Sequence, residues 1–359
     1  MRYYLGKEAR LRRKVEDVAM SVFGGWSYDE VLTPTVDFYA LFERGMGDEA
    51  QRAFRFTDND GGLLALRPDV TSSVARLAAT LLRDRDRPLR LCYAAPVFRQ
   101  QQASHVEWRR ENTQLGCELI GAPGVKADLE ILMVAVEVLT RLGLRESACI
   151  TINNVEIFNG LCEQFAISSV TSETLRQLID TRDKTELSRL LNANRVTQQA
   201  TSSFLALTEL TGKRETLKEA ATLISNPRSS TGVSDLNSLW DVIETLNLSD
   251  LFEIDLADVS GLDYYSGLSF KVFVRGAGYR VGRGGRYDGL ASNFGASEPA
   301  IGFVLSLDSL IEVVDSNFQF DIDQREDNSM TSALSINDIF AQALDKRDNG
   351  EQVRIEVSE

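Results

Sequence analysis

Two periodicities alternate along the chain. Over residues 6–23 the apolar positions Leu11, Val15, Val18, Ala19, Val22 and Phe23 recur every three to four residues, which predicts an amphipathic helix stopped by Gly24 and Gly25. Residues 28–36 are short, β-branched and interrupted by Pro34, a pattern that suits an edge or interface strand. Strands are predicted at 63–66 and 89–98, with a helix over 70–83 between them. Residues 107–120 alternate long polar and apolar side chains. A helix then runs over 125–142 through Leu129, Leu132, Met133, Val136 and Leu139 to Gly143, followed by a strand at 148–154.

From 156 to 247 the composition shifts to Leu, Ser, Thr, Asn and Gln. Helical spacing persists there, and Phe158, Phe165, Phe204 and Trp240 supply the few large aromatics, which reads as a helical insertion. Strand signals return at 269–275 and 301–305, around the glycine-rich stretch 276–290. Residues 311–359 hold twelve Asp or Glu against four Lys or Arg, which predicts a mobile, partly helical tail. The expected organisation is a core in two parts, 1–155 and 248–314, interrupted by the insertion 156–247 and followed by the acidic tail 315–359.

At 359 residues and 43% hydrophobic content the chain can bury one large or two average-sized cores. Its 39 Lys and Arg against 53 Asp and Glu give a net charge of -14, the wrong sign for holding nucleic acid by its phosphates. The longest apolar run, residues 131–136, falls far short of the roughly 18 to 20 residues of a membrane span, and residues 1–14 are too charged for a signal peptide. A soluble, cytoplasmic protein is expected. Cys92, Cys117, Cys149 and Cys162 stand apart with no CxxC pair, and His105 is the one histidine, so zinc clusters and histidine-based triads lack raw material. His105 itself lies in a polar stretch and reads as a solvated loop residue.

Several short segments carry candidate chemistry. Leu66-Arg67-Pro68-Asp69-Val70-Thr71 sets a stiffened turn, a carboxylate and a hydroxyl at a strand-to-helix junction, where Asp69 also suits a helix cap. Arg99 follows a strand end. Gln114 and Glu118, four apart on a strand, point to one face, either exposed or lining a cleft with Arg99. Tyr264 and Tyr265 in GLDYYSG offer one ring to the core and one to a pocket or the surface. Gly282, Gly284 and Gly285 ahead of Arg286-Tyr287-Asp288 permit close approach of a ligand or of a neighbouring strand, but match neither GxGxxG nor a P-loop.

The order of these segments is more telling than any one of them. VLTPTVDFYALFERGMGDE, LRPDVT, RRENTQLGCELIG, GLDYYSG, GGRYDGL and PAIGFVLSLDSL together resemble the catalytic core of histidyl-tRNA synthetases over residues 5–312. The resemblance implies an α+β class II aminoacyl-tRNA synthetase-like fold, an antiparallel sheet flanked by helices, with a helical insertion and a dimer interface around Pro34. It places a histidine pocket on Asp69, where the family has a glutamate, and on Thr71, Arg99, Gln114, Glu118, Tyr264 and Tyr265. Glu118 can accept from an imidazole N–H, and acidic and hydroxyl groups can meet an α-ammonium.

The departures redirect the function. Ser260 stands where synthetases carry the arginine before GLDYY, and Ser306, Asp308 and Ser309 replace the third motif's glycine, glutamate and ATP-binding arginine. Losing such arginines costs about 10³ to 10⁵ in rate in phosphoryl-type chemistry. The acidic residues after Leu310 also differ from the synthetase's anticodon-binding domain. The chain therefore resembles the synthetase-like regulatory subunits of ATP phosphoribosyltransferase. That resemblance implies a non-catalytic subunit without cofactor or metal, required by a short-form catalytic subunit in the first step of histidine biosynthesis, with histidine as effector. The alternatives are a divergent synthetase-like ATP-dependent ligase and a sensing module acting on tRNA or a kinase.

Overall fold

Alternation along two ten-residue strands builds the centre of the molecule. In the computed structural model, which describes residues 3–100, 109–259, 265–314, 329–330, 336–350 and 353–355, the chain begins with α1 (Lys7–Gly25). Next come β1 (Asp29–Glu30), β2 (Val36–Phe38), α2 (Tyr39–Met46), β3 (Arg55–Thr57), β4 (Leu63–Leu66) and α3 (Thr71–Ala79). The long strands β5 (Leu89–Phe98) and β6 (Glu111–Ile120) then lead to α4 (Val125–Arg141) and β7 (Ala148–Asn154). Helices α5 (Val155–Gln164), α6 (Ser169–Asp180), α7 (Lys184–Ala193) and α8 (Gln198–Leu207) follow. They are succeeded by β8 (Thr211–Gly212), α9 (Arg214–Leu223), α10 (Pro227–Thr245) and β9 (Phe252–Asp255). The chain returns to the centre through β10 (Leu268–Val274), β11 (Gly282–Arg286), β12 (Ala300–Ser306) and α11 (Leu307–Val313). Beyond these lie β13 (Ser329–Met330), α12 (Ile336–Asp348) and β14 (Arg354–Ile355).

Nine strands form one sheet in the order β1-β5-β6-β12-β11-β10-β7-β9-β8. The central run from β5 to β7 is antiparallel throughout, while β1 on β5 and β9 on β7 pair in parallel, so the sheet is mixed at its margins. Strand side chains alternate between faces. One face carries Leu115, Cys117, Leu119, Ile150, Ile152, Phe270, Val272, Phe303 and Leu305 into a core with Val15, Ala19 and Phe23 of α1 and Ile131, Ala135 and Leu139 of α4. On the other, Leu91, Tyr93, Ala95 and Val97 meet Val70, Val74, Ala75 and Ala78 beside α3. A second, three-stranded sheet (β2-β4-β3) has Phe38, Leu64 and Phe56 in register across one face, with Phe38 60% exposed.

The boundaries depart from the sequence expectation at particular residues. The first helix runs on through Gly24 and Gly25 to Trp26, and the left-handed residue that ends it is Ser27, at φ 63°. The helix expected over 70–83 stops at Ala79. There the Thr80 hydroxyl donates to the Arg76 carbonyl at 2.7 Å and Leu81 turns out to solvent. The glycine-rich stretch contains a full strand, β11, which glycine's low strand preference hides. Its glycines face rings and backbone rather than open space. A Cβ on Gly284 would run into the Phe270 ring and lie 2.6 Å from the Gly302 carbonyl, and one on Gly285 would lie 2.7 Å from the Leu268 carbonyl. Close strand approach is thus what these glycines serve. Cys92 and Cys117 stand opposite each other on β5 and β6 as free, buried thiols.

Candidate functional site

Strand β6 carries the site. Its dry face supplies Leu115, Cys117 and Leu119 to the core, and the same alternation places Gln114, Gly116 and Glu118 together on the α3 side. Gly116 leaves a gap that the Tyr93 ring fills, since a Cβ there would lie 2.5 Å from the Tyr93 hydroxyl oxygen. That hydroxyl donates to Glu118 Oε1 at 3.1 Å. Across β12, Gly302 is the Cα partner of Glu118, and any Cβ on it would collide with the carboxylate and lie 2.6 Å from the Cys117 carbonyl. Glycines 116, 285 and 302 therefore make room on this face for Tyr93, Tyr265 and Glu118 respectively.

Glu118 is only 2% exposed. Its Oε1 accepts from Thr71 Oγ1 at 2.8 Å as well as from Tyr93, and its Oε2 accepts from the Tyr287 hydroxyl. Burial pushes its carboxyl up to about 7, helped by the nearby Asp69 charge and opposed by the three hydroxyl donors. Thr71 opens α3, and Asp69 Oδ1 accepts from its backbone N–H at 2.7 Å. The N-cap of α3 is Val70 rather than Asp69, which instead holds the first helical amide and borders the cavity at once. The turn before it is tied to β5: Arg67 Nε donates to the Pro96 carbonyl at 2.7 Å, and the Phe98 amide donates to the Arg67 carbonyl at 2.9 Å. Arg99 Nε donates to the Pro68 carbonyl at 2.7 Å, while its Nη2 stands 3.6 Å from Asp69 Oδ2.

Two adjoining cavities open here. A small polar one of about 20 Å³ is lined by Asp69, Thr71, Glu118, Tyr265, Arg283 and Tyr287, among others. The larger, about 440 Å³, is bordered by Arg99, Gln114, Arg110, Arg280, Arg283 and Ser309, among others. Gln114 is 5% exposed, and its Oε1 has no hydrogen-bond partner among the described residues. Burial drives the Tyr265 hydroxyl up to about 12, with Arg283 acting in the opposite sense.

Of the residues picked out from sequence, Asp69, Thr71, Glu118 and Tyr265 meet at the small cavity, while Arg99 and Gln114 line the large one. Tyr264, Ser260 and His105 lie outside the described residues. Tyr93, Gly302 and Arg283 were not singled out. Gly116 and Gly302, each interrupting a strand of large residues, were the available signal of close approach. Ser309 Oγ donates to Ser306 Oγ at 2.9 Å in the first turn of α11, where the Ser306 side chain also accepts from the Ser309 amide as the helix N-cap. Asp308, 4% exposed, binds Arg12 Nη1 at 2.8 Å and the Thr113 amide at 2.9 Å, which locks α11 to α1 and β6. Among the described residues no group of three or more His, Cys, Asp or Glu is arranged to hold a metal ion, and no helix is long and apolar enough to cross a membrane.

Comparison with known proteins shows the family and the fold. The histidyl-tRNA synthetase family model matches residues 1–310. The ATP phosphoribosyltransferase regulatory subunit of Moorella thermoacetica is 35% identical over 308 residues, 86% of this chain and 79% of that protein. A crystal structure of an ATP phosphoribosyltransferase regulatory subunit/histidyl-tRNA synthetase from Bacillus halodurans C superposes with a TM-score of 0.88 at 28% identity, covering 99% of this chain and 91% of the other. Histidyl-tRNA synthetase from Nostoc sp. PCC 7120, at 20% identity and a TM-score of 0.80 over 100% of this chain and 85% of that one, shares the fold. The class II synthetase-like α+β fold expected from the motifs is the fold observed, and the chain belongs to the histidyl-tRNA synthetase family, in its branch of ATP phosphoribosyltransferase regulatory subunits.

Proposed function

We propose that this chain is a histidine-responsive, non-catalytic subunit that a short-form ATP phosphoribosyltransferase catalytic subunit requires for the first step of histidine biosynthesis. The observation that supports the reading is the buried polar pocket around Glu118, taken together with Ser309, which on the resemblance stands for the synthetase's third-motif arginine. In this reading Asp69, Thr71, Arg99, Gln114, Glu118, Tyr264 and Tyr265 form the histidine site. Glu118 takes the imidazole, for which its Oε2 retains one lone-pair direction beside Tyr287, and Asp69 with Thr71 faces the α-ammonium. No cofactor is needed. Histidine acts by linkage: if it binds one arrangement of the complex better than another, a coupling of about 1 to 3 kcal/mol suffices to switch the partner.

The exposed apolar face of β2, β3 and β4, with Phe38 and Phe56 uncovered, supports self-association as a dimer beside Pro34. Phosphoribosyl transfer to ATP by a short-form catalytic subunit, measured with and without this chain, tests the reading. Activity that arises only in the mixture is expected, and a catalytic subunit unaffected by the chain would refute it. The roomy arginine-bordered cleft favours one second reading, an ATP-dependent ligase. ATP–pyrophosphate exchange by the chain alone would establish that alternative.

A further inference from the structure

The sheet register arranges the polar face in rows. Glu118, Gly302, Gly285 and Ser269 lie level across β6, β12, β11 and β10. The next row on the same face, two residues along and therefore about 7 Å away, is Gly116, Val304, Arg283 and Lys271. Gln114 and Ser306 stand level one row further on. Arg283 thus sits between the row of the buried carboxylate and the row of Gln114, whose buried Oε1 has no partner among the described residues, and it borders both cavities.

Charge sharpens the placement. The described residues lining the small cavity include two carboxylates, Asp69 and Glu118, and a single cation, Arg283. A zwitterionic amino acid whose ammonium and side-chain N–H face the two carboxylates needs a cation at its other end. A planar guanidinium presents paired donors that match a carboxylate.

We propose that Arg283, projecting from the glycine-flanked strand β11 between the two cavities, reads the α-carboxylate of the bound amino acid and so selects a free amino acid over its carboxylate-free analogues. This rests on the histidine-pocket reading above. Isothermal titration of the full-length chain with L-histidine and with histidinol, which carries a hydroxymethyl group in place of the carboxylate, tests it. The wild-type chain should prefer histidine. Arg283→Gln should lose about 10-fold or more in histidine affinity while binding histidinol as before, and Arg283→Lys, which keeps the charge, should fall between the two. Glu118→Gln, run alongside, should weaken both ligands together. Unchanged histidine affinity in Arg283→Gln, or an equal loss for both ligands, overturns the role of Arg283 while leaving the pocket standing. A wild-type chain that binds neither ligand overturns the pocket reading and this inference with it.

Discussion

The two faces of β6 share one backbone and obey opposite rules. Toward α1 and α4, Leu115, Cys117 and Leu119 are at most 1% exposed in an apolar core, where shape and volume decide stability. Toward α3, Gln114 and Glu118 are buried yet polar, and glycine 116 makes room for the Tyr93 hydroxyl and glycine 302 for the carboxylate it satisfies. A strand devoted only to stability would gain from apolar residues on both faces. If the polar face is the ligand site proposed above, it should respond to mutation through affinity and pH where the dry face responds through stability.

Core truncation should give the largest effect. Leu115→Ala removes a fully buried side chain and is expected to cost about 2 to 5 kcal/mol in chemical denaturation. The folded fraction should still bind histidine with wild-type affinity, and weakened binding at full occupancy of the fold would break the contrast between the faces.

A pH series sharpens it next. Glu118 has its carboxyl raised to about 7 in the folded chain, against about 4.3 when unfolded, so its stabilising contribution is complete below the unfolded value and is lost as pH rises toward 7. Compared with Glu118→Gln, which does not titrate, the wild type should lose up to about 3 kcal/mol between pH 4.5 and 7.5. Parallel stability curves for the two proteins would mean that Glu118 is not held in a desolvated site.

The same substitution read through the ligand should cost at least about 10-fold in histidine affinity at pH 8, where the wild-type carboxylate is ionised. Equal affinities by calorimetry would remove Glu118 from the pocket. The smallest effect belongs to Tyr287→Phe, which deletes one of three hydroxyl donors to Glu118. It should cost about 0.5 to 1.5 kcal/mol of stability and move the Glu118 titration further up, visible in the carboxyl carbon shift by NMR.

Periodicity made the long elements legible. The strands at 63–66, 89–98 and 148–154 and the helix ending before Gly143 match their sequence patterns, because their apolar residues bury on a regular face. The Gln114–Glu118 relation followed from strand spacing alone. What the chain concealed depended on partners distant in sequence. The five residues of β11 form a strand because Phe270 and backbone carbonyls close over its glycines. The depth of Glu118 depends on Gly302, nearly two hundred positions away, and on Tyr93 and Tyr287 converging from β5 and the loop after β11. The asymmetry of Asp308 and Ser309 was equally hidden. One locks α11 inward and the other caps its first turn at the cleft, a division set by where α1 and β6 lie.

The most direct test is histidine inhibition of phosphoribosyl transfer in a mixture of short-form catalytic subunit with either the wild-type chain or Glu118→Ala. The account predicts that both chains activate the catalytic subunit, that histidine suppresses the wild-type mixture, and that the variant mixture is suppressed far less. Equal suppression of the two mixtures would place the sensor elsewhere and contradict the assignment of histidine sensing to the polar face of β6.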